Sequence, residues 1–328
     1  MGRETNQRKG RSGARPVRNV PQSVHARLKN LAREQGAELN RLLERYAGER
    51  FLYRLGISSE VDRFTLKGAA LFLVWMGEPL RATRDVDLLG TGDDDHEAIR
   101  AAIAAVCAVP CPEDGLAFDP ASIRVQAIRD EQEYGGVRVR LRATLGPAVL
   151  PLQVDIGFGD IITPEREEAA YPTLLEHPVP RVWTYPRETF VAEKFEAMVR
   201  LGPTNTRMKD FWDVAALAAR FDFDGETLRA ALDETFQRRG TPHAAELPEA
   251  LRPAFYQDEK RAEYWQAFLR KAGDAVTPAD FNAVGERVRA FLGPVRESLV
   301  QGETLTRTWP AGGPWESGPR ARREAQDG

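Results

Sequence analysis

Two aspartates stand one residue apart in the stretch RATRDVDLLG, residues 81–90. Side chains at positions i and i+2 of a strand point to the same side, so Asp85 and Asp87 would lie close together. Two like charges in such proximity repel each other, and partial burial makes the repulsion worse. A cation relieves it, and Mg²⁺ typically takes one or two carboxylates together with substrate phosphates. The pair therefore indicates a magnesium site, with a solvated strand end as the plainer alternative.

Asp155 is a third carboxylate in an apolar run, LPLQVDIGFG. If its strand lies beside the first, the three aspartates would form a two-metal site, which activates an attacking oxygen and stabilises a leaving pyrophosphate. Upstream, LKGAAL places Gly68 where an extended segment becomes a helix, and backbone N–H groups at a helix start favour an anion. Lys67 adds a positive charge at the same turn. Close helix packing is the alternative explanation for the small residues at 68–70.

The segment VAEKFEAMVRLGPTNTRMKDFWDVAAL, residues 191–217, carries further charged groups at helical spacing. Lys194 is flanked by apolar residues, so its charge would act strongly on a phosphate; a charged surface helix is the alternative. Asp210 and Asp213 are three residues apart and face the same way on a helix. Asp210 could equally cap or begin that helix. A second charged cluster is therefore predicted, on helices rather than strands.

Hydrophobic periodicity predicts the elements that must position these groups. Residues 23–56 have an apolar stripe typical of two helices, separated near Gly36. Residues 57–190 mix helical and strand-like runs, and in VRVRLR, residues 137–142, apolar residues alternate with three arginines. The chain from about residue 187 to 293 is helical. The pattern predicts an α/β (α+β) fold, in which a mixed-sheet domain is followed by a helical domain.

Four regions follow from this pattern. Residues 1–22 are a disordered basic tail, since the first 19 residues hold six Arg or Lys against one Glu. Residues 23–186 contain the N-terminal helices and the mixed-sheet core, and residues 187–295 form the helical domain with Lys194 and Asp210. Residues 296–328, rich in Gly, Pro and charge, are a disordered tail. The basic tail and Arg138, Arg140 and Arg142 are either solvated or contact RNA phosphates.

The composition of the 328 residues excludes several classes of protein. Two cysteines make no disulfide framework, so a reducing compartment is expected. The N-terminus lacks a secretory signal and no run of 18 apolar residues occurs, which predicts a cytoplasmic protein without a membrane partner. No P-loop motif is present, and the four histidines lack metal-ligand spacing. The chemistry must therefore come from carboxylates and basic residues.

The first motif, KGAALFLVWMGEPLRATRDVDLLG, resembles that of the AbiEii/AbiGii-type toxin nucleotidyltransferases in the DNA-polymerase-β-like superfamily. In that family a Lys-Gly-Gly-Thr-type turn precedes an Arg-x-Ser/Thr-x-Asp-[Ile/Leu]-Asp strand, which is here Arg81, Thr83, Asp85 and Asp87. Residues 191–217 resemble the second and third motifs, a Glu-Lys-[Phe/Leu]-x-Ala helix and Arg-x-Lys-Asp-x-[Tyr/Trp]-Asp. The motifs occur in the family's order, and the resemblance extends over roughly residues 23–293.

The resemblance implies a nucleotidyltransferase-like sheet domain and an enzyme that transfers nucleotides from an NTP to an acceptor, with Mg²⁺. It further implies a toxin–antitoxin system tied to abortive infection and phage defence. The acceptor would be an RNA, modified at the tRNA 3′ end, and the antitoxin would be a DNA-binding repressor. Together with the spacing arguments it predicts catalysis by Asp85, Asp87, Lys194 and Asp210; nucleotide binding by Lys67, Gly68, Ala69, Arg81, Thr83, Lys194 and Asp213; and metal binding by Asp85, Asp87 and Asp155.

One departure concerns the turn after Lys67. The family commonly has Gly-Gly-Ser/Thr there, whereas this chain has Gly68-Ala69-Ala70 and lacks the hydroxyl. Weaker or altered nucleotide handling is expected, with Thr83 as a substitute hydroxyl. Two other hypotheses remain: nucleotidyl transfer to a protein or small molecule, and a catalytically weak binding partner in a two-component complex.

Overall fold

A computed structural model describes residues 19–81, 85–128, 135–272 and 280–317. The helices are α1 Val20–Gln35, α2 Leu39–Gly56, α3 Leu71–Met76, α4 His96–Ala108, α5 Arg187–Leu201, α6 Met208–Arg220, α7 Gly225–Arg238, α8 Pro253–Tyr256, α9 Glu259–Ala272 and α10 Phe281–Gln301. The strands are β1 Phe64–Lys67, β2 Val86–Gly90, β3 Leu116–Ile128, β4 Gly136–Leu145, β5 Ala148–Phe158, β6 Glu167–Ala170, β7 Arg181–Thr184, β8 Phe223–Asp224, β9 Arg307–Trp309 and β10 Glu316–Ser317.

The two N-terminal helices predicted from the apolar stripe are confirmed. The side chain of Asn19 accepts a hydrogen bond from the backbone N–H of Gln22 and caps α1. Gly36 ends the helix in the left-handed conformation, at φ 62°, which glycine adopts without a steric penalty. Because α1 begins at Val20, the predicted disordered tail is wrong for residues 20–22, while residues 1–18 lie outside the described ranges.

Seven strands form one mixed sheet in the order β3-β4-β5-β2-β1-β7-β6. The pairs β2–β5 and β1–β7 are parallel and the remaining neighbours are antiparallel. The alternation predicted along β4 is confirmed, since Val139 and Leu141 are buried while Arg140 and Arg142 are exposed. Helices α1, α2 and α4 contact the strands β3–β5, and the arginines lie on the opposite face. The mixed α/β fold class is confirmed.

The sequence pattern did not indicate β6 and β7, the two strands at one edge of the sheet. Each has only four residues, EEAA and RVWT, which is too short for a recognisable alternation. Strand β7 nevertheless determines where α5 begins, since Tyr185 follows it and donates its backbone N–H to the carbonyl of Leu66 in β1. This hydrogen bond places the start of α5 next to the end of β1.

The helical region packs directly on the sheet region. The ring of Phe190 in α5 lies edge-to-face against Phe72 and Trp75 of α3, at centroid separations of 5.4 and 5.3 Å. A continuous cluster of buried apolar residues therefore crosses the boundary predicted after residue 186. Within the described ranges no helix has the length and hydropathy needed to cross a membrane.

The disordered tail predicted from residue 296 is wrong for residues 296–317. Helix α10 continues through Pro294 to Gln301, and β9 then pairs with β8. Trp309 is 2% exposed and donates its indole N–H to the carbonyl of Ala218 at 2.7 Å. The Gly/Pro content of this segment suggested disorder, but its two tryptophans, Trp309 and Trp315, both pack on Phe291. Residues 318–328 lie outside the described ranges.

Candidate active site

Four charged residues form a row across the sheet, with two acidic residues between two basic ones. Lys67 of β1 is the register partner of Asp87 in β2, and Asp87 is the register partner of Asp155 in β5. Asp155 is in turn opposite Arg138 of β4. Register partners present their side chains on the same face. The expected neighbourhood of the Asp87 and Asp155 strands is therefore confirmed.

The two carboxylates in this row have different electrostatic environments. Arg138 donates two hydrogen bonds to Asp155, at 2.8 and 2.7 Å, so this carboxylate is engaged by a guanidinium. Burial and the charge of Asp155 raise the pKa of Asp87 to about 6, against the opposing effect of Lys67. Asp87 thus carries a negative charge that its surroundings only partly compensate.

Asp85 occupies a different position from its neighbour in the motif. It directly precedes β2 and lines a second cavity together with Arg140 and Gln153, whereas Asp87 lines the first. Its charge contributes to the raised pKa of Asp87. Within the described ranges, no three His, Cys, Asp or Glu side chains are grouped so that they could hold a metal ion. The three-aspartate metal site remains a prediction, and Arg138 already engages one of its three ligands, Asp155.

The first cavity has a volume of about 460 Å³ and lies between the sheet and helices α5 and α6. It brings together most of the residues singled out from the sequence, whereas Thr83 lies outside the described ranges. Its lining also includes basic residues that no motif marked. The predicted lining residues are Lys67, Gly68, Ala69, Arg81, Asp87, Asp155 and Lys194, and the additional basic ones are Arg200, Arg207, Lys209 and Arg239.

Lys194 is held by the two aspartates of α6. Its ammonium group lies 2.6 Å from Asp210 and 2.9 Å from Asp213, and its side chain is 12% exposed. Both aspartates are completely buried and lie behind the cavity wall. Burial opposes ionisation of Asp210, but Lys194 and Arg207 outweigh it and lower its pKa to about 2. The aspartates therefore position cations and do not themselves face the cavity.

The same aspartates hold two further cations at the cavity. Arg81 donates two hydrogen bonds of 2.9 Å to Asp213, and Arg207 donates one of 2.7 Å to Asp210. A guanidinium that is held by a buried carboxylate loses little further entropy when it binds an anion. Arg81 and Asp213, which were predicted separately to bind the nucleotide, thus form an ion pair between the loop before β2 and helix α6.

A third cluster, missed by sequence reasoning, surrounds Lys67. Its ammonium group donates hydrogen bonds to Asp160 at 3.0 Å and to Glu193 at 2.9 Å. Arg239, at the end of α7, contacts Asp160 and Glu196 at 2.9 and 2.8 Å. Burial opposes the charge of Lys67, but Glu193 and its other neighbours raise its pKa well above the usual value. Asp160 and Arg239 belong to no motif; only the adjacency of Glu193 to Lys194 offered a signal.

Comparison with known families identifies the class of enzyme. A family model described as the nucleotidyl transferase AbiEii toxin, of type IV toxin–antitoxin systems, matches residues 50–287, which is more than half of the chain. This chain belongs to the AbiEii family. It is therefore a nucleotidyltransferase of a toxin–antitoxin system, with an antitoxin as partner. No curated protein was found to match it.

Two solved structures from Helicobacter pylori resemble this AbiEii chain at a distance. JHP933 has a TM-score of 0.46 and 14% identity, with 80% of this chain and 94% of that chain covered. A second structure from the same organism has the same TM-score and identity, with 80% of this chain and 98% of that chain covered.

The glycine of the first AbiEii motif has a steric role at the carboxylates. Gly68 has φ +71°, and a Cβ added to it would overlap the carboxylate of Asp87. The backbone of the turn therefore lies directly against Asp87, in an arrangement that excludes a side chain. Ala69 and Ala70, which replace the Gly-Ser/Thr of the motif, are buried under the turn.

We expect Gly68→Ala to lower nucleotidyl transfer by at least about 100-fold, because the added methyl displaces Asp87 from its position. Gly77→Ala is the matched control: Gly77 has φ +76°, and its added Cβ would meet nothing within 4 Å. Both variants incur the strain of a left-handed alanine, about 1–2 kcal/mol, and the overlap with Asp87 should lower the melting temperature of Gly68→Ala further. Equal transfer by the two variants would contradict the steric role of Gly68.

Proposed function

We propose that this AbiEii enzyme is an Mg²⁺-dependent toxin that transfers a nucleotide from an NTP to an RNA acceptor, the tRNA 3′ end, and thereby blocks translation. The observation that carries the proposal is the distribution of charge around the first cavity. The carboxylates of Asp87 and Asp155 lie on its sheet wall, and cations held by buried aspartates lie on its helix wall. Such a cavity accommodates a polyphosphate on one wall and a cation on the other.

The donor set fits Mg²⁺. It consists of carboxylate oxygens alone, which suits a hard cation, and the raised pKa of Asp87 reflects a negative charge that a cation would stabilise. Asp85 and Asp87 would hold the ion, and Asp155 would join them where Arg138 releases it. Bound Mg²⁺ would neutralise phosphate charge and favour ionisation of the attacking hydroxyl.

The helix wall supplies the contacts for the triphosphate. Lys194, Arg81 and Arg207 are anchored by Asp210 and Asp213 before any ligand arrives, so they need little reorganisation to bind phosphate oxygens. Lys209 adds a further cation whose pKa is lowered by burial. The cavity volume of about 460 Å³ lies within the usual range for small-molecule sites, about 300–1,000 Å³.

The proposal extends to the cellular setting. A tRNA acceptor places the enzyme in the cytoplasm, and arrest of translation suits an abortive-infection response to phage. The antitoxin required by the family is proposed to be a DNA-binding repressor. The following experiment distinguishes transfer to RNA from transfer to a protein or small molecule.

The test is labelling of purified tRNA with each of the four α-labelled NTPs in turn. We expect one or more of the NTPs to label tRNA when Mg²⁺ is present and none to do so in excess EDTA, because the carboxylates repel the triphosphate without a cation. Prior removal of the tRNA 3′ hydroxyl by periodate is the control for the site of attachment. Label on protein with tRNA untouched would contradict the RNA acceptor, and labelling that persists in EDTA would contradict the role of the metal.

A further inference from the structure

A second cavity of about 520 Å³ is lined by residues that stand two positions from lining residues of the first, Asp85 beside Asp87 and Gln153 beside Asp155. Asp85 lines this second cavity, while Asp87 and Asp155 line the first. Gln153 stands at the division, since it lines the second cavity and donates to Asp155 at 3.4 Å. The motif aspartates therefore stand between two separate spaces, of which the proposed NTP occupies only one.

The second cavity opens onto the arginine face of the sheet. Arg124, Arg140 and Arg142 line it, and all three are exposed; the carboxylates in its lining are Asp85 and Glu44. Arg124 and Arg140 are register partners on β3 and β4, so two like charges stand directly opposite each other. Such a pair destabilises a sheet unless an anion lies between or over the two side chains.

The hydrogen bonds described for this pair do not neutralise it. Arg140 donates to the side-chain oxygens of Gln153 and Gln126 at 3.2 and 3.4 Å. Arg124 donates to the backbone carbonyls of Ala121 and Ile123, each at 3.0 Å. All four acceptors are neutral, and the described ranges give neither arginine a carboxylate partner within salt-bridge distance. The positive charge of the pair is thus left available to an anion.

The arginines of β4 differ in how firmly carboxylates hold them. Arg138, level with Asp155, is engaged by it at 2.7 Å, and Arg140 is the next arginine along β4. Arg142 follows and reaches Asp119 only at 3.4 Å, in a pair whose side chains are 62% and 41% exposed. Exposed pairs of this kind contribute little and exchange readily for another anion. The arginines are spaced two residues apart, about 6.6 Å along the strand, which suits successive phosphates of an extended nucleic acid strand.

We propose that Arg124, Arg140 and Arg142 bind the phosphodiester backbone of the acceptor strand, which reaches the carboxylates through the second cavity while the NTP occupies the first. The inference rests on the proposed function, since it concerns the acceptor of that reaction. It assigns the two cavities to the two substrates, with Asp85 on the acceptor side and Asp87 on the donor side.

The test compares Arg124→Gln/Arg140→Gln with a control variant, Arg181→Gln. Arg181 is 70% exposed on β7 of the same sheet, which three strands, β5, β2 and β1, separate from β4. Binding of a fluorescein-labelled single-stranded oligoribonucleotide is measured by anisotropy without NTP, over a range of salt concentrations. Binding of fluorescent mant-ATP and mant-GTP is measured in parallel. Neither assay needs turnover, so the acceptor surface is tested even where nucleotidyl transfer fails.

The double variant is expected to bind the oligonucleotide at least about ten-fold more weakly at about 0.1 M salt. The slope of log K against log salt should decrease by about 1.4, because each lost phosphate contact on a single strand contributes about 0.7. Mant-nucleotide affinity should stay within about two-fold, and the melting temperature should equal or exceed that of the wild type because an opposed like-charge pair is removed. Arg181→Gln should behave as the wild type in every assay.

Three results would overturn the assignment: unchanged oligonucleotide affinity and slope in the double variant, equal loss of oligonucleotide and nucleotide binding, or a wild type that binds no oligonucleotide. Competition by poly-glutamate as strong as that by RNA would also overturn it, in favour of an acidic protein partner. Oligonucleotide binding through this face without any transfer to tRNA would support the surface and contradict the proposed function.

Discussion

Asp87→Asn is expected to reduce nucleotidyl transfer by about 10³-fold or more while leaving the fold intact. The amide is nearly isosteric with the carboxylate, but it cannot supply the negative charge that a divalent cation requires. Labelling of tRNA under single-turnover conditions measures the loss. Asp94→Asn, an exposed aspartate in the loop after β2, is the matched control and should retain full transfer.

Stability distinguishes a functional carboxylate from a structural one in this variant. Burial and Asp155 raise the pKa of Asp87 to about 6, so the ionised form is disfavoured in the folded protein. Stability associated with protonated Asp87 is present below its unfolded pKa and is lost as the pH rises through about 6. In EDTA at pH 8, Asp87→Asn should therefore melt at or above the wild-type temperature, and the difference should vanish below about pH 4. A clear loss of stability at pH 8 would contradict the placement of Asp87.

Lys194→Met is expected to reduce transfer by about 10²–10³-fold and to relieve growth arrest caused by induced expression. The ammonium group is the cation held between Asp210 and Asp213 at the cavity, and no neutral side chain replaces its charge toward a phosphate. Colony counts after induction measure the arrest, with protein abundance followed by immunoblot. Lys260→Met, an exposed lysine of α9, is the matched control and should remain toxic.

Lys194→Met should also affect stability, because Lys194 belongs to a buried ion-pair network with Asp210 and Asp213. Breaking a buried pair by removal of one partner typically costs about 3–5 kcal/mol, but Arg81 and Arg207 still engage the two aspartates here, so a smaller loss is expected. The double variant Lys194→Met/Asp210→Asn removes one positive and one negative charge and leaves the Arg81–Asp213 pair in place. It should recover melting temperature but not transfer; recovery of both would show that Lys194 acts only through stability. Wild-type protein that is harmless to cells would contradict the toxin assignment and leave the transferase assignment to the labelling experiment.

Local signals in the sequence were sufficient for the elements that carry the carboxylates. The alternation in β4 and the apolar runs around Asp87 and Asp155 reflect the two-residue period of strands, which burial on one face imposes on the residues themselves. The helix end at Gly36 is likewise local, since capping depends on residues within one turn, whereas the start of α1 at Asn19 was missed because the basic tail was extended to residue 22. The sequence did not predict strands β6 and β7 or the structure of residues 302–317. These elements are held in place by pairing with distant residues rather than by their own sequence pattern.

The motif residues were recognisable without the fold, but their partners were not. The sequence alone determined that Asp85, Asp87, Lys194 and Asp210 are chemically capable residues within motifs, and that Asp155 is a further carboxylate that would join Asp85 and Asp87 if its strand lay beside theirs. Only the tertiary structure decided that Arg138 engages Asp155, that Asp210 and Asp213 lie behind Lys194, and that Asp160 and Arg239 join Lys67. These contacts join residues 16 to 93 positions apart or lie across strands whose register the chain does not display. Their geometry depends on the packing of α5, α6 and α7 against the sheet, which no local pattern encodes.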